Sequence, residues 1–237
     1  MKTSVLIIAH NEEEGIKGCI ESVLAQTKPA DEVVLVVHNS TDRTLAIAQD
    51  FPITVLPYKG PAGAAYARMR GIAAVTGDMI ICTDGDTVVA PNWIEVMADT
   101  LNKDGNILVG SLVYFSGTIL ASVQSFYFKY VCVSKGIRAT EWVWGPSMAF
   151  WAKDKEYIQE SFKKGIDLSK QLNLSRNPDD YWFSLFMHKR GPVEVTNKTW
   201  VTAKIKETSS LTSLRRHIEN VRNGKKMRSY FLNTQDF

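Results

Sequence analysis

Ile80-Ile81-Cys82-Thr83-Asp84-Gly85-Asp86-Thr87 carries an apolar run straight into two carboxylates separated by a glycine. The run reads as a buried strand of an α/β sheet, and the carboxylates stand where that strand ends. Ligands of open α/β sheets bind outside the carboxyl ends of the strands. Two carboxylates there suit a hard divalent cation, and such a cation suits a diphosphate. Asp-Gly-Asp is also good turn chemistry, so the stretch alone does not choose between a turn and a metal site.

Upstream, Val5-Leu6-Ile7-Ile8-Ala9 is a β-branched run that ends at His10-Asn11-Glu12-Glu13-Glu14. Ile16, Cys19, Ile20, Val23 and Leu24 follow at helical spacing, with the acids near the helix start, where they favour its dipole. Val33 to Val37 is a second buried strand, ending at His38-Asn39-Ser40-Thr41-Asp42. A helix with Leu45, Ile47 and Ala48 and a short strand, Ile53-Thr54-Val55-Leu56, come next. This alternation predicts a parallel sheet with right-handed crossovers. Gly60-Pro61-Ala62-Gly63 opens a further helix, and a glycine-rich helix start is a good anion site. Arg68 and Arg70 lie on that helix and are read either as ligands of a phosphate or carboxylate, or as solvated charges. Pro91 starts one more helix, with Trp93, Ile94, Val96, Met97 and Leu101.

The 237 residues suit one domain, and a 45% hydrophobic content supports a large core. A formal charge of +3 falls well short of a nucleic-acid signature, so no nucleic-acid partner is expected. Cys19, Cys82 and Cys132 are widely spaced in apolar settings and read as buried thiols of a reducing compartment, without zinc spacing. Ser4 to Ala9 is too short for a signal peptide, and no stretch approaches the ~18 apolar residues of a membrane span. The expected location is cytoplasmic.

Four pieces of the first hundred residues together resemble the A-type (GT-A) glycosyltransferases of family two, the inverting family that uses nucleotide-sugars. Ala9-His10-Asn11-Glu12 is similar to the family's Pro/Ala-x-Asn-Glu end of strand one. His38-Asn39-Ser40-Thr41-Asp42 is similar to its Asp-Asn-Cys/Gly-Ser-Thr-Asp loop. Gly63 to Gly71 is similar to its Gly-x-x-x-Ala-Arg-Asn-x-Gly helix, and Asp84-Gly85-Asp86 to its Asp-x-Asp metal motif. The resemblance implies that Ala9, Asn11 and Glu12 surround the base and ribose. It implies that Arg68 contacts the nucleotide or donor sugar, that Asp84 faces ribose or sugar, and that Asp86 ligates Mn²⁺ or Mg²⁺ on the diphosphate. His38 stands where the family has an acid that reads the base, which leaves the choice of UDP, GDP or another nucleotide open. His38 also fits a plain loop role.

In the second half, Ile107 to Tyr114 reads as a strand. Thr118 to Val133 shows a wide helical stripe, read as core-facing or as a lipid-facing groove. Glu141 to Trp151 is the most aromatic segment. Its Gly145 to Phe150 resembles the family's Gly-Gly-x-Met-Ala-Phe, which places Trp144, Gly145 and Met148 in a pocket for donor sugar and acceptor. Asn177-Pro178-Asp179-Asp180 is good helix-start chemistry. By resemblance to the family's Glu-Asp pair, Asp179 belongs to the acceptor pocket and Asp180 is the general base that inverting transfer needs. Phe183, Leu185 and Phe186 continue that helix, and Val193-Glu194-Val195 is a strand.

From Thr208 onward, Leu211, Leu214, Ile218 and Val221 alternate with Arg215, Arg216, His217, Arg222, Lys225, Lys226 and Arg228. This basic amphipathic tail is read as packing back on the domain, docking on an anionic membrane surface, or closing over donor phosphates with His217. The expected architecture is an α/β GT-A domain over residues 1–201, with a mostly parallel Rossmann-like sheet flanked by helices. Residues 1–100 form its nucleotide half, 101–201 its acceptor half, and 202–237 a C-terminal helical extension. The expected activity moves one sugar from a nucleoside-diphosphate sugar to a glycan, lipid or small-molecule acceptor, with Mn²⁺ or Mg²⁺ as cofactor and peripheral contact with the inner membrane surface. The alternatives are a nucleotidyltransferase of similar fold, or a non-catalytic module that binds sugar or membrane surface.

Overall fold

The computed structural model describes residues 1–103, 105–116, 142–174, 178–204, 219, 222–227, 229–231 and 233. The stripe at 118–133, Glu141, Asn177, Cys132 and the tail residues Arg215 to His217 lie outside the described residues. The first strands run where the β-branched stretches predict: β1 (Thr3–Ala9), β2 (Glu32–His38), β3 (Thr54–Tyr58) and β4 (Met79–Asp84). Helices α1 (Ile16–Leu24), α2 (Thr44–Gln49) and α3 (Ala64–Ala74) connect them. Their order is β3-β2-β1-β4, all parallel. The carboxyl ends of β1, β2 and β4 therefore share one edge. Glu12 to Glu14 precede α1, whose first turn holds no acid.

The second half completes an eight-stranded mixed sheet in the order β3-β2-β1-β4-β7-β6-β8-β5. Its elements are β5 (Thr87–Val89), α4 (Trp93–Leu101), β6 (Leu108–Ser116), β7 (Met148–Trp151), α5 (Lys155–Gln171), α6 (Asp179–His188) and β8 (Val193–Lys204). β7 runs antiparallel to both β4 and β6, while β8 is parallel to β6 and carries a register shift between Ser111 and Leu112. β8 continues to Lys204, so the sheet uses residues on both sides of the boundary expected at 201.

Strand alternation divides the core between the two faces of the sheet. Val5 and Ile7 join Ile16, Ile20, Trp93 and Met97 on one face. Leu6 and Ile8 join Ala67, Ile72, Phe162 and Phe183 on the other. Both faces are covered by helices, which is why these strands read as continuous apolar runs rather than alternating ones. Cys19 and Cys82 are free, buried thiols. Among the described residues no helix is long and apolar enough to cross a membrane.

Candidate active site

Two adjoining cavities open at the carboxyl edge. The smaller, about 270 Å³, is lined by Ala9, His10, Glu12, His38, Asn39 and Asp86 among others. The larger, about 810 Å³, is lined by Arg68, Trp142, Trp144, Gly145, Asp179 and Asp180 among others. Asp84 and residues 62–64 line both. The shared wall is the start of α3, where Gly63 takes φ 133°, a conformation that favours glycine, and no side chain caps the helix. Uncapped backbone N–H groups at a helix start attract anions.

In the smaller cavity the strand-end loops are tied to each other. Asn11 (φ 53°) accepts from the Thr41 N–H at 2.8 Å, and Glu12 N–H donates to the Thr44 hydroxyl at 2.7 Å. Asn11 thus joins two loops and does not itself line the cavity. His38 is buried and stacks on Tyr58 with centroids 5.1 Å apart. The Asn39 amide spans from His38 Nε2, at 3.1 Å, to the Gly60 carbonyl, at 2.8 Å. The amide N–H makes His38 Nε2 an acceptor and leaves the ring proton on Nδ1. Burial lowers the His38 pKa, against backbone contacts at Pro61 and Gly60 that raise it.

Arg68 lines the larger cavity, next to the shared Asp84. Its Nη2 donates to Asp84 Oδ1 at 2.7 Å, and its Nη1 donates to Asp179 Oδ2. Only 3% of the side chain is exposed. Burial works against its charge, but Asp179 and Asp84 overcome that and hold the guanidinium above its ordinary range. Burial pushes the Asp84 carboxyl up to about 6, with the Asp86 charge adding to the rise and Arg68 opposing it. Asp180 Oδ2 accepts from the Gly145 N–H at 3.0 Å, and Oδ1 accepts from the Tyr181 N–H at 2.8 Å. Burial, then the neighbouring Asp179 charge, push Asp180 up to about 6.

The donor set tests whether a divalent cation fits. Among the described residues no three His, Cys, Asp or Glu side chains form a ready metal cluster. Asp84 and Asp86 supply two carboxylates at the end of β4, and crowding of their charges contributes to the raised Asp84 pKa. Mg²⁺-type ions bind through one or two carboxylates and take their other ligands from phosphates and water. The residues present fit that pattern.

Trp142 and Trp144 stack face to face, 4.6 Å apart and 6° from parallel, and Tyr181 meets Trp142 edge-on at 5.1 Å. The aromatic segment thus walls the larger cavity, with Trp144 and Gly145 in its lining. Met148 does not line either cavity: it pairs with Cys82 and is fully buried with Phe150 in the core. Beyond the aromatic segment, the wall includes Tyr66, Tyr181 and α5, which contributes Ile166 and Lys170, none of them singled out for the site by the sequence. The signal for α5 was present, since Ile158, Phe162 and Ile166 recur every four residues.

The sequence model of "Glycosyl transferase family 2" matches residues 4–182. The chain is 34% identical over 107 residues to the uncharacterized glycosyltransferase YibD of Escherichia coli strain K12, covering 44% of this chain and 31% of that protein. It spans less than half the length of the first curated relatives it matches. Among solved structures, the mannosyltransferase PcManGT from Pyrobaculum calidifontis, in complex with GDP-Man and Mn²⁺, superposes with TM-score 0.68 at 18% identity, over 99% of this chain and 65% of that one. S. aureus TarS 1-349 in complex with UDP-GlcNAc gives TM-score 0.61 at 15% identity, over 90% and 61%. At these identities the structural likeness shows the fold.

Proposed function

The chain belongs to glycosyl transferase family 2, and from that premise we propose that it transfers one sugar, with inversion, from a nucleoside-diphosphate sugar to an acceptor hydroxyl. The observation that carries this reading is the double ion pair of Arg68. It ties Asp84, at the donor-strand end, to Asp179, beside Asp180 and 111 residues away from Arg68 in sequence. Residues from both halves of the chain thereby face one space. Complexes of two structural neighbours with GDP-Man and Mn²⁺ and with UDP-GlcNAc support a nucleotide-sugar donor.

In this reading residues 1–100 take the nucleotide and 101–201 the acceptor. Ala9, Glu12 and His38 border the base and ribose, with Asn11 fixing their loops. The diphosphate lies at the uncapped start of α3, and Arg68 and Asp84 position the donor sugar. Asp86 would ligate Mn²⁺ or Mg²⁺, a Lewis acid that stabilises the charge gathering on the leaving diphosphate.

Asp180 takes the proton of the acceptor hydroxyl. The hydroxyl oxygen bonds to the anomeric carbon as the bond from that carbon to the diphosphate oxygen breaks, and the nucleoside diphosphate leaves. The N–H groups of Gly145 and Tyr181 hold the carboxylate in place. The test is incubation with UDP- and GDP-sugars and Mn²⁺, following release of nucleoside diphosphate. Release supports the reading, whereas formation of pyrophosphate, or no turnover with any donor, sinks it.

A further inference from the structure

The described C-terminal residues return to the larger cavity. Residues 222–227 are helical, and Met227 is fully buried with Leu168, Tyr181, Trp182 and Phe186. Phe231 meets Phe186 edge-on at 6.1 Å, and the Lys189 ammonium lies 4.4 Å over the Phe231 ring. Gly224 stands one helical turn before Met227 and so shares its face. Both line the larger cavity, and neither lines the smaller one. A Cβ at Gly224 would meet no heavy atom within 4 Å, so the space beside it is open.

The cavity has two chemically different linings. Arg68, Asp84, Asp179 and Asp180 are the charged one. Trp142, Leu174, Tyr181 and Met227 belong to a single apolar cluster, which adjoins the carboxylates where the Tyr181 N–H donates to Asp180. Ser169, also in the lining, already accepts from Trp182 Nε1 at 2.8 Å, and Lys170 is mostly exposed beside Asp167.

We infer that the acceptor is amphipathic. It presents a hydroxyl to the carboxylates and lays an alkyl or aromatic group on the Trp142–Leu174–Tyr181–Met227 wall, with Gly224 leaving room for that group. This rests on the glycosyl-transfer reading and narrows its acceptor. A bare sugar would leave the apolar wall in contact with water, and an anionic group near the reacting hydroxyl would face the charges of Asp179 and Asp180.

The probes are methyl and octyl β-D-glucopyranoside, titrated calorimetrically into the full chain below micelle formation. Burying two or more methylenes makes the octyl glycoside bind roughly tenfold or more tightly than the methyl one. Gly224→Leu, a change that favours helix, fills the open space and removes that advantage. The rise in melting temperature with nucleoside diphosphate and Mn²⁺ persists in the variant. Equal affinity for the two glycosides, no binding of either, or an octyl advantage that survives Gly224→Leu overturns the inference. If Gly224→Leu does not fold, the wild-type comparison decides by itself. Failure of every nucleoside diphosphate to stabilise the wild type would count against the transfer reading instead, and the comparison of glycosides would still decide the apolar wall.

Discussion

Gly145 leaves its side-chain space to Arg68: a Cβ at position 145 would stand 2.5 Å from the guanidinium Nη2. The same glycine donates its N–H to Asp180, so one residue sets the position of both a buried cation and a carboxylate.

Gly145→Ala therefore displaces Arg68 from Asp84 or Asp179. Overpacking of this kind costs about 1–3 kcal/mol, and transfer activity is expected to fall with it. Thermal melting and a transfer assay check the expectation. Wild-type values in both would show that the guanidinium moves aside freely.

Asp180→Asn removes the proton acceptor but keeps an oxygen for the Gly145 N–H. The turnover rate is expected to drop roughly 10²- to 10⁴-fold, the usual worth of a general base. Nucleotide affinity, read by thermal shift, stays at the wild-type level. Unchanged turnover would remove Asp180 from the mechanism.

The pH profile follows from the Asp180 pKa, pushed up to about 6. The base works when ionised, so kcat/KM falls as pH drops through about 6. Asp179→Asn removes the neighbouring charge that contributes to the rise and moves the acid limb to lower pH. The stability effect has a defined sign. A carboxyl whose folded pKa lies above its unfolded value near ~4 destabilises the fold progressively as pH rises from ~4 to about 6. Asp180→Asn leaves one of the two N–H donors, Gly145 or Tyr181, without its carboxylate oxygen, a cost that does not vary with pH; on top of it, the variant's melting temperature relative to wild type should rise from pH 4 to pH 7. A difference that stays flat or falls from pH 4 to pH 7 would contradict this sign.

Asp86→Ala tests the cation. In the wild type, Mn²⁺ adds to the melting-temperature rise produced by a nucleoside diphosphate, because a ligand of the native state stabilises it. In the variant that added rise disappears, while any metal-free component remains. Titration with and without EDTA makes the comparison, and a full Mn²⁺ effect in the variant would move the metal elsewhere.

The parallel half was legible because strands covered on both faces leave unbroken apolar runs, and each run stops at a polar loop that lines the edge. β5 escaped because three residues directly after a turn carry no periodicity. β8 was read only as Val193–Val195, since Asn197-Lys198 breaks the apolar pattern near the strand's register shift. Motifs single out Asp180 and the aromatic segment, and both line the larger cavity. The Arg68 bridge could not, because no local spacing reports a contact between residues 68 and 179. Met148 was expected in the pocket, but alternation along β7 puts it and Phe150 on a core face, with Ala149 on the other.

The reversal at β7 has a consequence for how such a protein can change. β6 ends and β7 begins at the same edge as the end of β4, because β7 runs antiparallel to both neighbours. The chain therefore leaves β6 and enters β7 at one and the same edge of the sheet. Lengthening a flexible connection costs only about 0.6 kcal/mol per doubling. Length added between residues 116 and 142 would therefore enter and leave the sheet at that one edge, and the four parallel strands β3-β2-β1-β4 would keep their register.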